Sequence, residues 1–254
     1  RLTALSPRRR EMIGIIDWRL ARCEESGVVF RFNTLADAST VLDEKPDVVI
    51  IATGGLPHTE VLSAGNELVV SSWDILSGDI KPRRNVLLFD DAGDHPALQA
   101  AEVIAHSGAR VEVMTPDRSF APEIMAMNLV PYMRSLQKHD VTFTVTFRLE
   151  SVQRDGDGLL AIVGSDYGGV RKERRVDQVV VNHGTRPLDE LYFELKPQSS
   201  NQGAVDYPAL LDGNPQVLPT AGSGAFALFR VGDAVSARNT HAAIYDALRL
   251  VKDL

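Results

Sequence analysis

The sequence predicts an α/β fold built on parallel sheet, and three observations carry that expectation. The run DVVIIAT at 47–53 is continuously apolar and β-branched, the pattern of a strand covered on both faces. Residues 85–115 read as strand, helix and strand within about 30 residues, a βαβ unit. Strand and helix signals alternate through the first two-thirds of the chain, as layered α/β domains require.

The elements follow in order. A helix is expected over 7–26, with Ser6 as cap, Pro7 in the first turn, Met12, Ile15, Ile16 and Leu20 on one face, and Gly27 as the stop. Residues 28–32 read as a short strand, 36–44 as a short helix ending before Pro46, and 47–53 as the buried strand. The second stretch opens with NVLLF at 85–89, a buried strand. A helix over 96–107 follows, with Pro96 in its first turn and Gly108 at its end, and then the strand RVEVMT at 110–115. A helix over 124–138 is interrupted near Pro131. Residues 141–154, 159–164 and 173–182 alternate with period two and carry turn signals at 155–158 and 168–169, which suggests an antiparallel meander. Residues 197–224 read as an irregular crossover, 229–232 as a last strand and 239–253 as an amphipathic helix.

Composition narrows the function. The 254 residues are 44% hydrophobic and 24% charged, enough for a sizeable core and inconsistent with disorder. Lys and Arg number 27 against 34 Asp and Glu; the net charge of −7 argues against non-specific nucleic-acid binding. No apolar run approaches the roughly 20 residues of a membrane span, so a cytoplasmic protein is expected. One cysteine, Cys23, expected to be buried, excludes an internal disulfide, an all-cysteine zinc site and an iron–sulfur cluster within this chain. The chain opens on Arg1 with no signal segment after it, which is read as residues missing upstream.

Two segments are candidates for ligand contact. Ala52, Thr53, Gly54 and Gly55 end a buried strand, where open α/β sheets collect ligands and small residues allow close approach. The same segment also reads as a plain strand-ending turn. Gly232, Asp233 and Ala234 precede a helix that starts near Asn239 and Thr240. There the aspartate can accept bonds from sugar hydroxyls, and the helix N-terminus offers free N–H groups. Asp233 also reads as a turn residue or cap.

The loop Asp90-Asp91-Ala92-Gly93-Asp94-His95 has the position of a dinucleotide loop but not its chemistry. Only one glycine of G-x-G-x-x-G is present, and three aspartates crowd the place of a dianion. His95 reads as a solvent or capping residue. At 182–187 (NHGTRP) a structural turn is expected, since His183 has no acid, hydroxyl or thiol partner nearby in sequence. His58, His106, His139 and His241 are scattered. Arg8, Arg9 and Arg10 read as a solvated helix start, or as neighbours of a phosphate or carboxylate.

Four stretches together are more specific: PRRREMIGIIDWR (7–19), PDVVIIATGGLP (46–57), VVVNHGTRP (179–187) and RVGDAVSARNTHAAIYDALRL (230–250). In this order they resemble the C-terminal region of the NADH:flavin oxidoreductase and trimethylamine (dimethylamine) dehydrogenase family, nearest to demethylases of dimethylglycine or N-methylproline. The resemblance implies two Rossmann-like, FAD/NAD(P)-binding three-layer domains, one inserted in the other, the first lacking its opening βαβ unit. It divides the chain into a partial FAD- or ADP-binding domain (1–75 and 205–254) and an inserted NAD(P)-binding-like domain (76–204). It implies a partial FAD or ADP site at Ala52, Thr53, Gly54, Gly55, Gly232, Asp233, Ala234, Asn239 and Thr240, with no catalytic residue and no metal ligand. FMN and a 4Fe–4S cluster are expected only in an N-terminal barrel, a missing partner along with half of the FAD domain. A homo-oligomer is expected. NAD(P)H is not, given Asp90, Asp91 and Asp94. Two alternatives stay open: a degenerate module that serves assembly without cofactor, and an NADH-dependent flavin reductase.

Overall fold

The structure is a computed structural model that describes residues 1–139, 141–218, 222 and 224–252. In chain order the strands are β1 (Val48–Ile51), β2 (Gly55–Pro57), β3 (Val69–Ser71), β4 (Asn85–Asp90), β5 (Arg110–Met114), β6 (Thr142–Thr144), β7 (Arg148–Asp155), β8 (Gly158–Gly164), β9 (Arg171–Val176), β10 (Gln178–Asn182), β11 (Thr185–Pro187) and β12 (Ala227–Arg230). The helices are α1 (Leu2–Leu5), α2 (Gly14–Glu25), α3 (Ala38–Asp43), α4 (Ser72–Ser77), α5 (His95–His106), α6 (Ala126–Leu136), α7 (Glu190–Leu195), α8 (Tyr207–Asp212) and α9 (Thr240–Val251).

These elements form two compact units. One comprises Arg1–Val29 and Pro57–Gly184, the other Phe30–Leu56 and Thr185–Leu254. The division between these compact units falls near 57 and 184. Strand pairing accounts for part of it: β3 lies beside β10 in the large sheet, so 69–71 go with the first unit.

The first unit is a five-stranded parallel sheet in the order β3-β10-β4-β5-β6. Its central strands are apolar on both faces. Val86, Leu88 and Val180 pack towards α4, α5 and α6, together with Ile75, Ile104 and Leu136. Leu87, Phe89, Val179 and Val181 pack on the other side, against Leu149, Val152 and Val163. Those last residues belong to the antiparallel layer β7-β8-β9. A helix layer and a small antiparallel sheet thus sandwich β4 and β10 of the parallel sheet.

The expected βαβ unit is present as β4-α5-β5, with Pro96 in the first turn of α5 and Gly108 at φ +85° after it. The meander is smaller than expected. Residues 141–154 divide into β6 and β7, and 173–182 into β9 and β10. β6 and β10 join the parallel sheet. The strand expected at 28–32 is absent. Those residues join no ladder: the Val28 N–H donates back to the Cys23 carbonyl at 3.0 Å, Phe32 lies in a turn, Val29 is exposed, and the rings of Phe30 and Phe32 stack on each other.

At the N-terminus, 7–13 is a 3-10 helix that passes into α2, where Gly27 (φ +74°) ends the helix as expected. Cys23 is half-buried, not buried, because α2 buries no residue fully. Arg8 and Arg9 are not simply solvated. Arg8 pairs with Glu102 of α5 at 2.7 Å, and both guanidinium groups lie over the ring of Tyr132.

The second unit contains the parallel pair β1-β12 and the short pair β2-β11. Val49, Ile51, Leu228 and Leu195 form its core with Ala38 and Phe226. β1 is covered on one face only: Val49 and Ile51 are buried, while Val48 and Ile50 are 39% and 36% exposed. The expectation of cover on both faces fails because β1 pairs here in a two-stranded sheet. The crossover 197–224 contains α8 and lies partly outside the described residues, as does residue 253 of the terminal helix.

Leu88 is fully buried among helix side chains. Leu88→Ala should lower unfolding free energy by about 2–5 kcal/mol. Urea unfolding followed by circular dichroism measures this, and a loss under about 1 kcal/mol would contradict the packing described.

Candidate functional site

The parallel pairing of β1 with β12 brings the two predicted segments together. Ile51 lies opposite Arg230, and the Val231 N–H donates to the Ile51 carbonyl at 3.0 Å. Both strands end at the same edge, so Ala52-Thr53-Gly54 and Gly232-Asp233-Ala234 leave it side by side. Carboxyl ends of parallel strands are where open α/β sheets take ligands.

Each residue has a distinct local role. The Thr53 hydroxyl donates to the Leu188 carbonyl, and the Leu188 N–H donates to the Gly54 carbonyl at 3.0 Å. Gly54 sits at φ +77°, and a Cβ there would meet nothing within 4 Å. Its α-carbon therefore faces open space, as close approach to a ligand requires. Gly55 differs: a Cβ there would lie 2.7 Å from the Arg186 carbonyl, so its missing side chain is accounted for by the β2-β11 pairing. Gly232 (φ +62°) is buried with Ala243 3.1 Å from where its Cβ would be, so it is needed for the approach of α9.

Asp233 is half-buried, and its Oδ1 accepts the Arg238 N–H at 3.2 Å. Asn239 caps α9, accepting the Ala242 N–H at 2.9 Å, and Thr240 starts the helix on the surface. Ala234 is buried in the core of this unit. Beside this edge, Arg230 pairs with Asp189 and lies over the Tyr192 ring at 4.6 Å. Burial pushes the Tyr192 phenol above its ordinary pKa.

The other acidic loop belongs to the first unit, after β4. The β4-β10 register sets Asp90 opposite Asn182. The Asn182 amide donates to Asp90 Oδ1 and to Asp94 Oδ1, both at 2.9 Å, and its own oxygen accepts from Ser72 at 3.0 Å. The Gly93 N–H adds a bond to Asp90 at 3.0 Å. Burial raises the Asp90 carboxyl to about 7 despite those bonds, and raises Asp94 in the same way. A Cβ at Gly93 would fall 2.7 Å from Pro122, so this glycine is packed against protein and does not open onto a ligand.

His183 has no partner in the local sequence. The fold gives it one: its Nδ1 lies 2.8 Å from Asp91 Oδ1, its side chain is 2% exposed, and its Nε2 is buried without a hydrogen bond among the described residues. No local spacing signals this pair, because only the strand register joins the two positions. His95 is likewise built in. Its Nδ1 lies 3.1 Å from the Tyr132 hydroxyl and 3.3 Å from an Arg9 nitrogen. Burial lowers its pKa, with Arg9 and Arg8 adding to the effect. Among the described residues no group of three or more His, Cys, Asp or Glu could hold a metal ion. No helix of the described residues is long and apolar enough to cross a membrane.

No protein-family model matches the chain. It is 71% identical over 254 residues, its whole length, to "Probable N-methylproline demethylase" of Rhizobium meliloti (strain 1021). It is 42% identical over 263 aligned residues, 99% of its length, to "N,N-dimethylglycine/sarcosine dehydrogenase" of Chromohalobacter salexigens. In both cases the match covers 38% of the relative and falls in its C-terminal part. Among solved structures the chain resembles a 2-naphthoyl-CoA reductase (TM-score 0.75, 23% identity), covering 98% of this chain and 33% of that one. It also resembles the thioredoxin reductase of T. acidophilum (TM-score 0.56, 16% identity), covering 82% and 64%. At those identities the two structures support the Rossmann-like α/β fold alone.

The raised Asp90 pKa has a consequence for stability. An acid whose folded pKa lies above its unfolded value of 3.8 contributes stability fully below pH 3.8, and loses it as pH rises towards 7. Asp90→Asn removes that loss while keeping an acceptor for Gly93. The variant should match the parent near pH 4 and melt higher near pH 8. Thermal unfolding of both across that range measures this, and a constant difference in melting temperature would contradict it.

Proposed function

We propose, from a chain that belongs by homology to the C-terminal part of the N-methyl amino acid demethylases and dehydrogenases, that it is the dinucleotide-binding portion of a flavin-dependent oxidoreductase. The full-length protein oxidatively demethylates an N-methylated amino acid or amine. The substrate is chosen and oxidised outside this chain, in the N-terminal part that holds FMN and the 4Fe–4S cluster. This chain has no catalytic residue of its own and is inactive alone.

The observation that carries the reading is the adjacency of Ala52-Thr53-Gly54 and Gly232-Asp233 at one edge of the β1-β12 pair. FAD or ADP fits that edge. Gly54 leaves open space above its α-carbon, Asp233 presents a partly exposed carboxylate to ribose or ribityl hydroxyls, and Asn239 and Thr240 start a helix close by. When bound, FAD supplies electron transfer; the residues here bind and orient it. The domain boundaries at 57 and 184 serve this reading, with 30–56 and 185–254 as the FAD- or ADP-binding unit. The first unit has the fold for NAD(P)H but fits it poorly. Asp94 stands at the start of α5 bonded to Asn182, Asp90 lies buried behind it, and Gly93 is closed off by Pro122. That unit serves structure and subunit contact in a homo-oligomer.

The test is the nucleotide released when the full-length protein is denatured. FAD or ADP is expected alongside FMN; a protein releasing neither would sink the assignment. Asp233→Ala should reduce the adenine nucleotide retained by roughly tenfold, the loss of a charged hydrogen-bond acceptor. Asp91→Ala should leave it unchanged, and tight NADH binding by the first unit would overturn that part.

A further inference from the structure

A carboxylate at the nucleotide edge raises an electrostatic problem: Asp233 and a phosphate group repel. The structure holds a cation at that place, tethered in an unusual way. Asp246, in the second turn of α9, binds the Arg238 guanidinium through both its oxygens: Oδ1 to Nη1 at 3.3 Å, and Oδ2 to Nη2. The same Oδ2 accepts the Gly232 N–H at 3.2 Å. The Arg238 N–H in turn binds Asp233. One arginine therefore touches Asp233 of the loop by its backbone and Asp246 of α9 by its side chain.

The two ends of Arg238 differ in freedom. Its backbone is fixed by the Asp233 bond in the turn that leads into α9. Its side chain is 39% exposed and rests on a partly exposed carboxylate. If the guanidinium leaves Asp246, the carboxylate keeps its bond to the Gly232 N–H, so the glycine turn is preserved. The pair can open without loosening the loop.

We infer that Arg238 is the phosphate-binding cation of this edge, held in reserve by Asp246 and transferred to a phosphate oxygen when a dinucleotide occupies the Gly232–Asp233 turn. Arginine suits the task, since its planar fork matches carboxylate and phosphate alike and it remains charged at every working pH. In this arrangement Asp246 is a competitor for the ligand, and Arg238 offsets the charge of Asp233. The inference rests on the proposed FAD or ADP site.

That competition predicts opposite signs for two substitutions, which a purely structural ion pair cannot give. In the full-length protein stripped of adenine nucleotide, ADP binding is measured by calorimetry at two salt concentrations. Arg238→Gln should weaken ADP roughly ten- to hundredfold and flatten the salt dependence. Asp246→Asn keeps an oxygen for the Gly232 N–H and frees Arg238, so it should tighten ADP severalfold. Adenosine, without phosphates, should bind both variants as it binds the parent. An exposed ion pair adds little to stability, so both variants are expected to fold, with unfolding curves as the check. If both substitutions weaken ADP equally, or if Arg238→Gln leaves ADP affinity unchanged, the inference is overturned while the site assignment stands. A parent protein that binds neither ADP nor FAD overturns both.

Discussion

One parallel pairing places both candidate segments of the second unit. β1 and β12 come from opposite ends of that unit's sequence, and their register sets Ile51 against Arg230. Parallel strands finish at the same edge, so whatever follows each is delivered to one place. Ala52–Gly54 and Gly232–Ala234 are neighbours for that reason. The turn after β12 then depends on Gly232, whose positive φ and missing Cβ let α9 approach through Ala243. α9 in turn carries Asp246 back to the Gly232 N–H. The edge is thus fixed by backbone geometry first and by side-chain chemistry second.

The same rule operates in the first unit with a different chemical result. β4 and β10 finish together, and their register delivers Asp90 and Asn182 to adjacent positions. Here the edge is satisfied from within. One amide group serves two carboxylates, and a glycine turn closes on a proline ring. One residue beyond the ends of both strands, on the side of Phe89, Asp91 meets His183. The alternation that sends Val180 to one core and Val181 to the other also separates these two polar pairs.

The sequence reveals the strands that are apolar throughout and the helices with marked ends. β1, β4, α5 and β5 are legible from β-branched runs, from Pro96 and from Gly108. β6 and β10 are read as parts of a meander because local alternation cannot say whether a strand's partner is parallel. Residues 28–32 carry a strand-like composition, yet Val29 and Phe32 find no ladder and no cover. The candidate edge is legible as two separate segments; their adjacency is not, since it depends on pairing across most of the unit. Nor can composition tell why a glycine is there. Gly54 opens onto space while Gly55, its neighbour, is required by the carbonyl of Arg186. The His183–Asp91 pair is invisible for the same reason of register.

Electrostatics separates the two acidic edges more sharply than their loop lengths do. In the first unit the carboxyls are withdrawn from water, and burial raises the pKa of both Asp90 and Asp94. In the second unit Asp233 and Asp246 remain partly exposed, and a guanidinium lies against the loop. Water screens those charges. Two units with acidic residues after comparable strands therefore differ in the depth of their carboxylates and in the guanidinium that lies beside one of them.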